Sequence, residues 1–81
     1  MELNIRNYIS ASPAICHGKP CFKGTRIPVS LILHMIEGGD SIESILEGYP
    51  TLSREAIQAA LHLAGELIDQ KDIRSSLALH R

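Results

Sequence analysis

The chain has 81 residues, a net charge of −1 at pH 7 and 44% hydrophobic residues, enough for one domain with a small core. The charged N-terminus is followed by no apolar segment of signal-peptide length, and the longest nearly apolar run, residues 27–36, is too short to span a membrane. We therefore expect a cytoplasmic protein that is not membrane-bound. Cys16 and Cys21 are a poor disulfide framework and are expected to be reduced thiols.

The N-terminal part, residues 1–27, is predicted to be a β segment. Residues 5–9 form a short extended candidate. Two further short runs flank the turn-forming tetrad at residues 17–20, and this pattern predicts a β-hairpin.

The first helix is predicted to begin at Pro28, because a proline is tolerated at the first helical position, and to end at the glycines that follow Glu37. Its main apolar face runs from Val29 to Ile36. Leu31 and Met35 form a second apolar stripe on the same helix. A helix that is apolar on two sides must bury both, so Leu31 and Met35 predict a dimer or partner interface. We expect a homodimer formed through this helix and the N-terminal β segment.

Two further helices complete a predicted domain of residues 1–70, in which residues 28–70 hold the three helices. Asp40 is the expected N-cap of the second helix, and Ser53 is the expected N-cap of a third helix that runs to about Gln70. A short helix, a tight turn and a longer helix match a helix-turn-helix layout. The fold class predicted is therefore α+β, a short β-hairpin followed by a three-helix bundle, with residues 71–81 as a C-terminal extension.

Nothing in the sequence suggests catalysis or a cofactor. The spacing of Cys16 and Cys21 lacks the second ligand pair of a structural zinc site. Gly18 and Gly24 are spaced wrongly for a phosphate-binding loop, and the Gly-rich segment around them contains no carboxylate. We therefore expect a protein that is not an enzyme and that has no catalytic residues, metal site or cofactor.

The start of the third helix is the expected DNA-reading segment, since the N-terminal residues of a recognition helix meet base edges in the major groove. The candidates there are Thr51, Ser53, Arg54 and Gln58, and arginine and glutamine can read guanine and adenine. A solvated face of an amphipathic helix is an equally good interpretation of the same pattern.

A basic cluster in the β segment could hold DNA phosphates beside that helix. Lys19, Lys23 and Arg26 lie within eight residues of one another. The overall net charge near zero argues mildly against strong nonspecific DNA binding. A solvated turn is the competing interpretation.

Three sequence segments together carry a resemblance to a known family. These are Ile15 to Pro20 (ICHGKP), Lys23 to Val29 (KGTRIPV) and Tyr49-Pro50 followed by Leu52. The chain resembles the bacterial family catalogued as domain of unknown function four-thirty-three, in the homeodomain-like helix-turn-helix group. His17 stands where glycine is common in that family.

The resemblance implies an antitoxin of a type II toxin–antitoxin pair that works as a dimer, neutralises a toxin with a PIN-like nuclease fold and binds its own operator DNA. Ile73, Leu77 and Leu79 are the expected toxin-binding residues, because spaced apolar anchors on a short segment suit binding in a groove. The alternative is a dimeric protein-interaction module that does not bind DNA, which the acidic helical half of the chain favours.

Overall fold

The computed structural model of the chain describes residues 4–13 and 16–70, without the side chain of Cys16. Two short strands and three helices follow one another along the chain. They are β1 (Ile9–Ser10), β2 (Cys21–Phe22), α1 (Val29–Glu37), α2 (Ile42–Gly48) and α3 (Arg54–Gln70), and short 3-10 turns lie at Ile5–Asn7 and Cys16–Gly18. A small antiparallel sheet followed by three helices confirms the predicted α+β class.

The two strands pair differently from the prediction. β1 and β2 are antiparallel, with Ile9 opposite Phe22, so β2 pairs with a strand that ends 11 positions upstream and not with Cys16, which lies in a 3-10 turn. The predicted extended segment at residues 5–9 is also wrong for Ile5–Asn7, which forms a 3-10 turn capped by the side chain of Asn4. Strands of two residues carry too little hydrophobic alternation for their register to be predicted.

Backbone hydrogen bonds tie β2 to the segments on both sides of it. Lys23 N–H donates to Tyr8 O at 2.7 Å, and Phe22 N–H donates to Ile27 O at 3.0 Å. The turn between them is fixed by Thr25, whose hydroxyl donates to Phe22 O at 2.7 Å and accepts from Ile27 N–H at 3.1 Å. This turn delivers the chain directly into α1.

α1 begins at Val29, with Pro28 one residue before it as the N-cap. The helix ends in a Schellman motif. Gly39 has φ of 104°, its N–H donates to Ile36 O, and Asp40 N–H donates to Met35 O, both at 3.0 Å. The predicted stop at the glycine pair is therefore confirmed.

The expected N-cap of α2 at Asp40 is wrong. The cap is Ser41, whose side chain accepts a hydrogen bond from Ser44 N–H at 3.1 Å. Asp40 is excluded from this position because its backbone closes the Schellman motif at the end of α1. The N-cap of α3 is Ser53 as predicted, and its hydroxyl accepts from Ala56 N–H at 3.1 Å.

The core lies between the sheet and the three helices. Phe22, Ile32, Ile45 and Ile57 are its largest fully buried side chains. Ile9, Val29, Leu52, Ala56, Ala59 and Ala60 complete the cluster. On α3 the buried positions stop at Ala60, although the helix continues for ten more residues, so its C-terminal half is not enclosed by the core.

Cys21 departs from the predicted free thiol. It is the buried first residue of β2 and is disulfide-bonded, and its partner sulfur lies outside the described side chains. The prediction rested on the expected reducing compartment, which does not report on the local proximity of two sulfurs.

Within residues 4–13 and 16–70, none of the helices is long and apolar enough to cross a membrane.

Candidate protein-binding groove and helix-turn-helix face

An apolar groove of about 480 Å³ runs between α1 and the C-terminal half of α3. α3 is 17 residues long, whereas α1 and α2 have nine and seven. At 1.5 Å per residue α3 extends about 25 Å, so it is longer than either of the other two helices, and its second half forms one wall of the groove. The groove walls on α3 are Ala60, Leu63, Ala64, Leu67 and Ile68.

At its α3 edge, the groove continues into an exposed apolar surface. Leu67 and Ile68 are 48% and 57% exposed, which is high for side chains of this type. On the opposite wall, Leu33 is half-buried and Val29 is buried. Exposed apolar side chains that border a cavity are typical of a surface that contacts another molecule.

One end of the groove is polar and positively charged. Lys19, Pro20 and Ser30 line it there. Pro20 accepts a hydrogen bond from Val29 N–H at 3.0 Å, so Lys19 lies next to the first turn of α1. The positive end of the α1 dipole adds to the charge of Lys19 at this place. Among the described lining residues, Lys19 is the one that carries a charge.

The helix-turn-helix face lies elsewhere on the molecule, at the start of α3. Arg54 forms an ion pair with Glu43 of α2. The hydrogen bond from the guanidinium, together with its positive charge, holds the pKa of the Glu43 carboxyl below its usual range. The guanidinium of Arg54 is thus already paired with a carboxylate. Two further acidic residues, Glu47 and Glu55, are exposed on the same two helices.

The other candidate DNA-reading residues are placed as follows. Thr51 and Gln58 are exposed. Ser53 is exposed as well, but its hydroxyl is used to cap α3. Thr51 and Ser53 precede α3, Arg54 and Gln58 lie in its first two turns, and Arg54 is paired with Glu43.

The residues of the basic cluster lie on two features of the molecule. Lys19 lines the groove, whose α3 residues begin at Ala60, six residues or about 9 Å beyond Arg54. Lys23 and Arg26 are exposed on the turn between β2 and α1. The feature that sequence reasoning missed is therefore the association of Lys19 with an apolar groove.

The predicted interface residues of α1 differ from each other in burial. Leu31 is 40% exposed, whereas Met35 is half-buried and packs against the core. The predicted toxin-binding residues Ile73, Leu77 and Leu79 lie outside the described residues. Within the part of the chain that the structure describes, there is no group of three or more side chains suited to hold a metal ion.

A sequence signal for the groove exists in α3. Its apolar pattern continues through Leu63, Ala64, Leu67 and Ile68, beyond Ala60, which is the last buried residue of the helix. An apolar face that outlasts the elements it packs against leaves a surface without a partner in the same chain.

Comparison with known proteins gives three similarities. Residues 9–64 match the family model described as "Protein of unknown function (DUF433)". The chain is 38% identical over 55 residues to "Uncharacterized protein y4eO" of Sinorhizobium fredii, a match that covers 68% of this chain and 25% of that protein. The chain therefore spans about a quarter of that relative.

Its fold is similar to the crystal structure of a DUF433 member protein from Anabaena variabilis, with a TM-score of 0.72 and 30% identity. That similarity covers 82% of this chain and 65% of the other.

Proposed function

Since the chain belongs to the DUF433 family, we propose that it is the antitoxin of a type II toxin–antitoxin pair in the cytoplasm and that it acts by binding its toxin directly. The toxin expected from the family resemblance has a PIN-like nuclease fold. The observation that carries the proposal is the exposed apolar surface formed by Leu67 and Ile68 at the edge of the groove, because such surfaces on small proteins are typically contact sites.

The capture of the toxin has two contributions in this proposal. One is the described apolar surface on α3. The other is the C-terminal extension with Ile73, Leu77 and Leu79, whose spacing suits anchors that insert into a groove of the toxin. An antitoxin that covers the nuclease in this way removes its activity without any chemistry of its own.

Co-expression with the product of the neighbouring gene tests the proposal. The two proteins are expected to co-elute from a sizing column, and the nuclease activity of the toxin is expected to fall when the chain is bound. Replacement of Ile73, Leu77 and Leu79 by serine should abolish co-elution. The matched control, Ser75→Ala with Ser76→Ala, changes the same segment without removing an apolar anchor and should leave co-elution intact. Separate elution of the wild-type proteins would refute the proposal.

Operator binding is a second candidate function, and the exposed Gln58 and Arg54 at the start of α3 favour it. Gel-shift measurements on the operon's own promoter are expected to show binding that weakens steeply between about 50 and 200 mM salt. Arg54→Ala and Gln58→Ala should weaken it. Glu43→Gln should strengthen it, because it removes the carboxylate that pairs with Arg54. Unchanged affinity in all three variants would show that the start of α3 does not read the DNA, and absence of any binding would leave a protein-interaction module that does not bind DNA.

A further inference from the structure

We propose that the groove between α1 and α3 binds an amphipathic helix of the toxin, and that this helix carries an acidic side chain that meets Lys19. This inference rests on the proposed function and specifies which surface and which chemistry perform the capture. It differs from the role assigned to the C-terminal extension, because here the chain supplies the groove and the partner supplies the helix.

The walls of the groove define the apolar side of the occupant. Leu33 on one wall and Leu63, Ala64 and Leu67 on the other leave a volume of about 480 Å³. Two packed helices leave a linear groove between them, which is the geometry that accepts a third helix with apolar residues at spacings of three and four. The small side chain of Ala64 allows the backbone of such a helix to come close.

The extension of the apolar surface outside the cavity favours a macromolecule over a small ligand. Small-molecule sites enclose most of their ligand. Leu67 and Ile68, however, point a large part of their apolar surface to solvent, 48% and 57% exposed. A helix lying in the groove would cover both side chains, whereas a ligand confined to the cavity would leave them exposed to solvent.

Charge complementarity defines the polar side of the occupant. Lys19 and the first turn of α1 place positive charge at one end of an otherwise apolar groove. An occupant with a carboxylate at that end is attracted, and one with an ammonium is repelled. We therefore assign to the occupant an aspartate or glutamate at the position that faces Lys19.

Three synthetic helical peptides of about 14 residues, a length of about 21 Å, serve as probes for the full chain. They share leucines at helical spacing and differ at one terminal position, which is Glu, Gln or Lys. Binding is followed by fluorescence anisotropy. The Glu peptide should bind more tightly than the Lys peptide by about fivefold, the size expected of an exposed ion pair. Lys19→Glu should reverse that order.

Two leucines of α3 give a matched pair of variants. Leu67 lines the groove and is 48% exposed. Leu61 lies on the same helix and is 42% exposed, but it does not line the groove. Leu67→Gln should weaken binding of the Glu peptide by about tenfold or more, since a buried leucine contact is lost. Leu61→Gln should leave it unchanged. Circular dichroism of both variants establishes that each remains folded.

The following results would overturn the inference. They are the absence of peptide binding to the full chain, equal effects of the two leucine variants, and a peptide preference that Lys19→Glu does not change. Dissociation of a dimer by Leu67→Gln but not by Leu61→Gln in sedimentation would also overturn it, because the occupant would then be a second copy of the chain.

The same variants separate this inference from the proposed function. If the peptides fail to bind but the chain still captures the toxin, the groove assignment is wrong and the antitoxin proposal stands. If the peptides bind as expected but no toxin is captured, the groove is a helix-binding site and the antitoxin proposal is wrong.

Discussion

At the scale of single residues, His17 has the least comfortable backbone in the described chain. Its φ and ψ of 55° and 38° lie in the left-handed region, which costs an L-residue with a Cβ atom roughly 1–2 kcal/mol. Gly18 follows with φ of 81°. These two residues form a turn shortly before β2. In the family that the chain resembles, glycine is common at the position of His17.

Replacement of His17 by glycine is therefore expected to stabilise the fold. Removal of the Cβ atom relieves the left-handed strain, and the larger entropy of the unfolded glycine offsets part of the gain, so the net increase should be about 0.5–1 kcal/mol. Urea denaturation of the wild type and of His17→Gly measures the difference in the free energy of unfolding.

Gly18→Ala is the matched control for this prediction. A Cβ atom at Gly18 would meet no heavy atom within 4 Å, so that its cost comes from the backbone angle alone and should be about 1 kcal/mol of destabilisation. A His17→Gly variant that is less stable than the wild type would show that the imidazole makes a contribution larger than the strain.

At the scale of the elements, the start of α2 gives the sharpest prediction, because two adjacent residues compete for the role of N-cap. Ser41 accepts a hydrogen bond from Ser44 N–H, and its replacement by alanine should reduce the free energy of unfolding by about 1 kcal/mol. Asp40→Ala should change it by less than about 0.5 kcal/mol, since the structural role of Asp40 is a backbone hydrogen bond that alanine retains.

Denaturant titrations of both variants measure these two effects. Ser53→Ala, at the N-cap of α3, provides the reference for the cost of losing a serine cap in this chain. A loss of stability in Asp40→Ala equal to that in Ser53→Ala would contradict the assignment of the cap to Ser41.

The helices and the position of β2 could be predicted from the sequence, whereas the pairing of the strands could not. Ser53 and the glycines after Glu37 are local signals that act within a few residues, so the start of α3 and the end of α1 are confirmed. The pairing of Ile9 with Phe22 joins residues 13 positions apart, and no local pattern specifies it. Asp40 shows an intermediate case, in which a good capping side chain is overridden by the helix that precedes it.

The candidate site was predictable in part for the same reason. Arg54 and Gln58 fall at the exposed start of α3, as the helix-turn-helix pattern predicts. The pairing of Arg54 with Glu43 crosses 11 residues and two helices, and the groove joins Lys19 to residues more than 40 positions away. Both depend on tertiary packing, which composition and spacing do not encode.

At the scale of the whole molecule, the described residues expose large apolar side chains in more than one place. Leu67 and Ile68 are exposed at the groove edge, whereas Leu31 on α1 and Leu61 on α3 are exposed without lining the groove. A chain of 81 residues is marginally stable by itself and gains from association. Exposed apolar side chains in more than one place allow the chain to form a homodimer through one surface and to bind a different protein through another.

The predicted homodimer through α1 can be tested at Leu31. Leu31→Glu places a charge on the proposed interface, where burial without a partner is costly, so a dimeric wild type should become monomeric. Met35 is less suitable for this purpose, because it also packs against the core and its replacement would disturb the fold. Sedimentation equilibrium over a range of protein concentrations measures the change.

Leu61→Glu is the control, since Leu61 is exposed to the same degree as Leu31, 42% against 40%, but lies on α3. Its introduced charge should stay solvated and leave the dimer intact. The two single variants therefore distinguish an interface on α1 from one on α3, because only the side chain that is buried by association should affect the association constant. A monomeric wild type, or a dimer that Leu61→Glu dissociates and Leu31→Glu does not, would contradict the interface on α1.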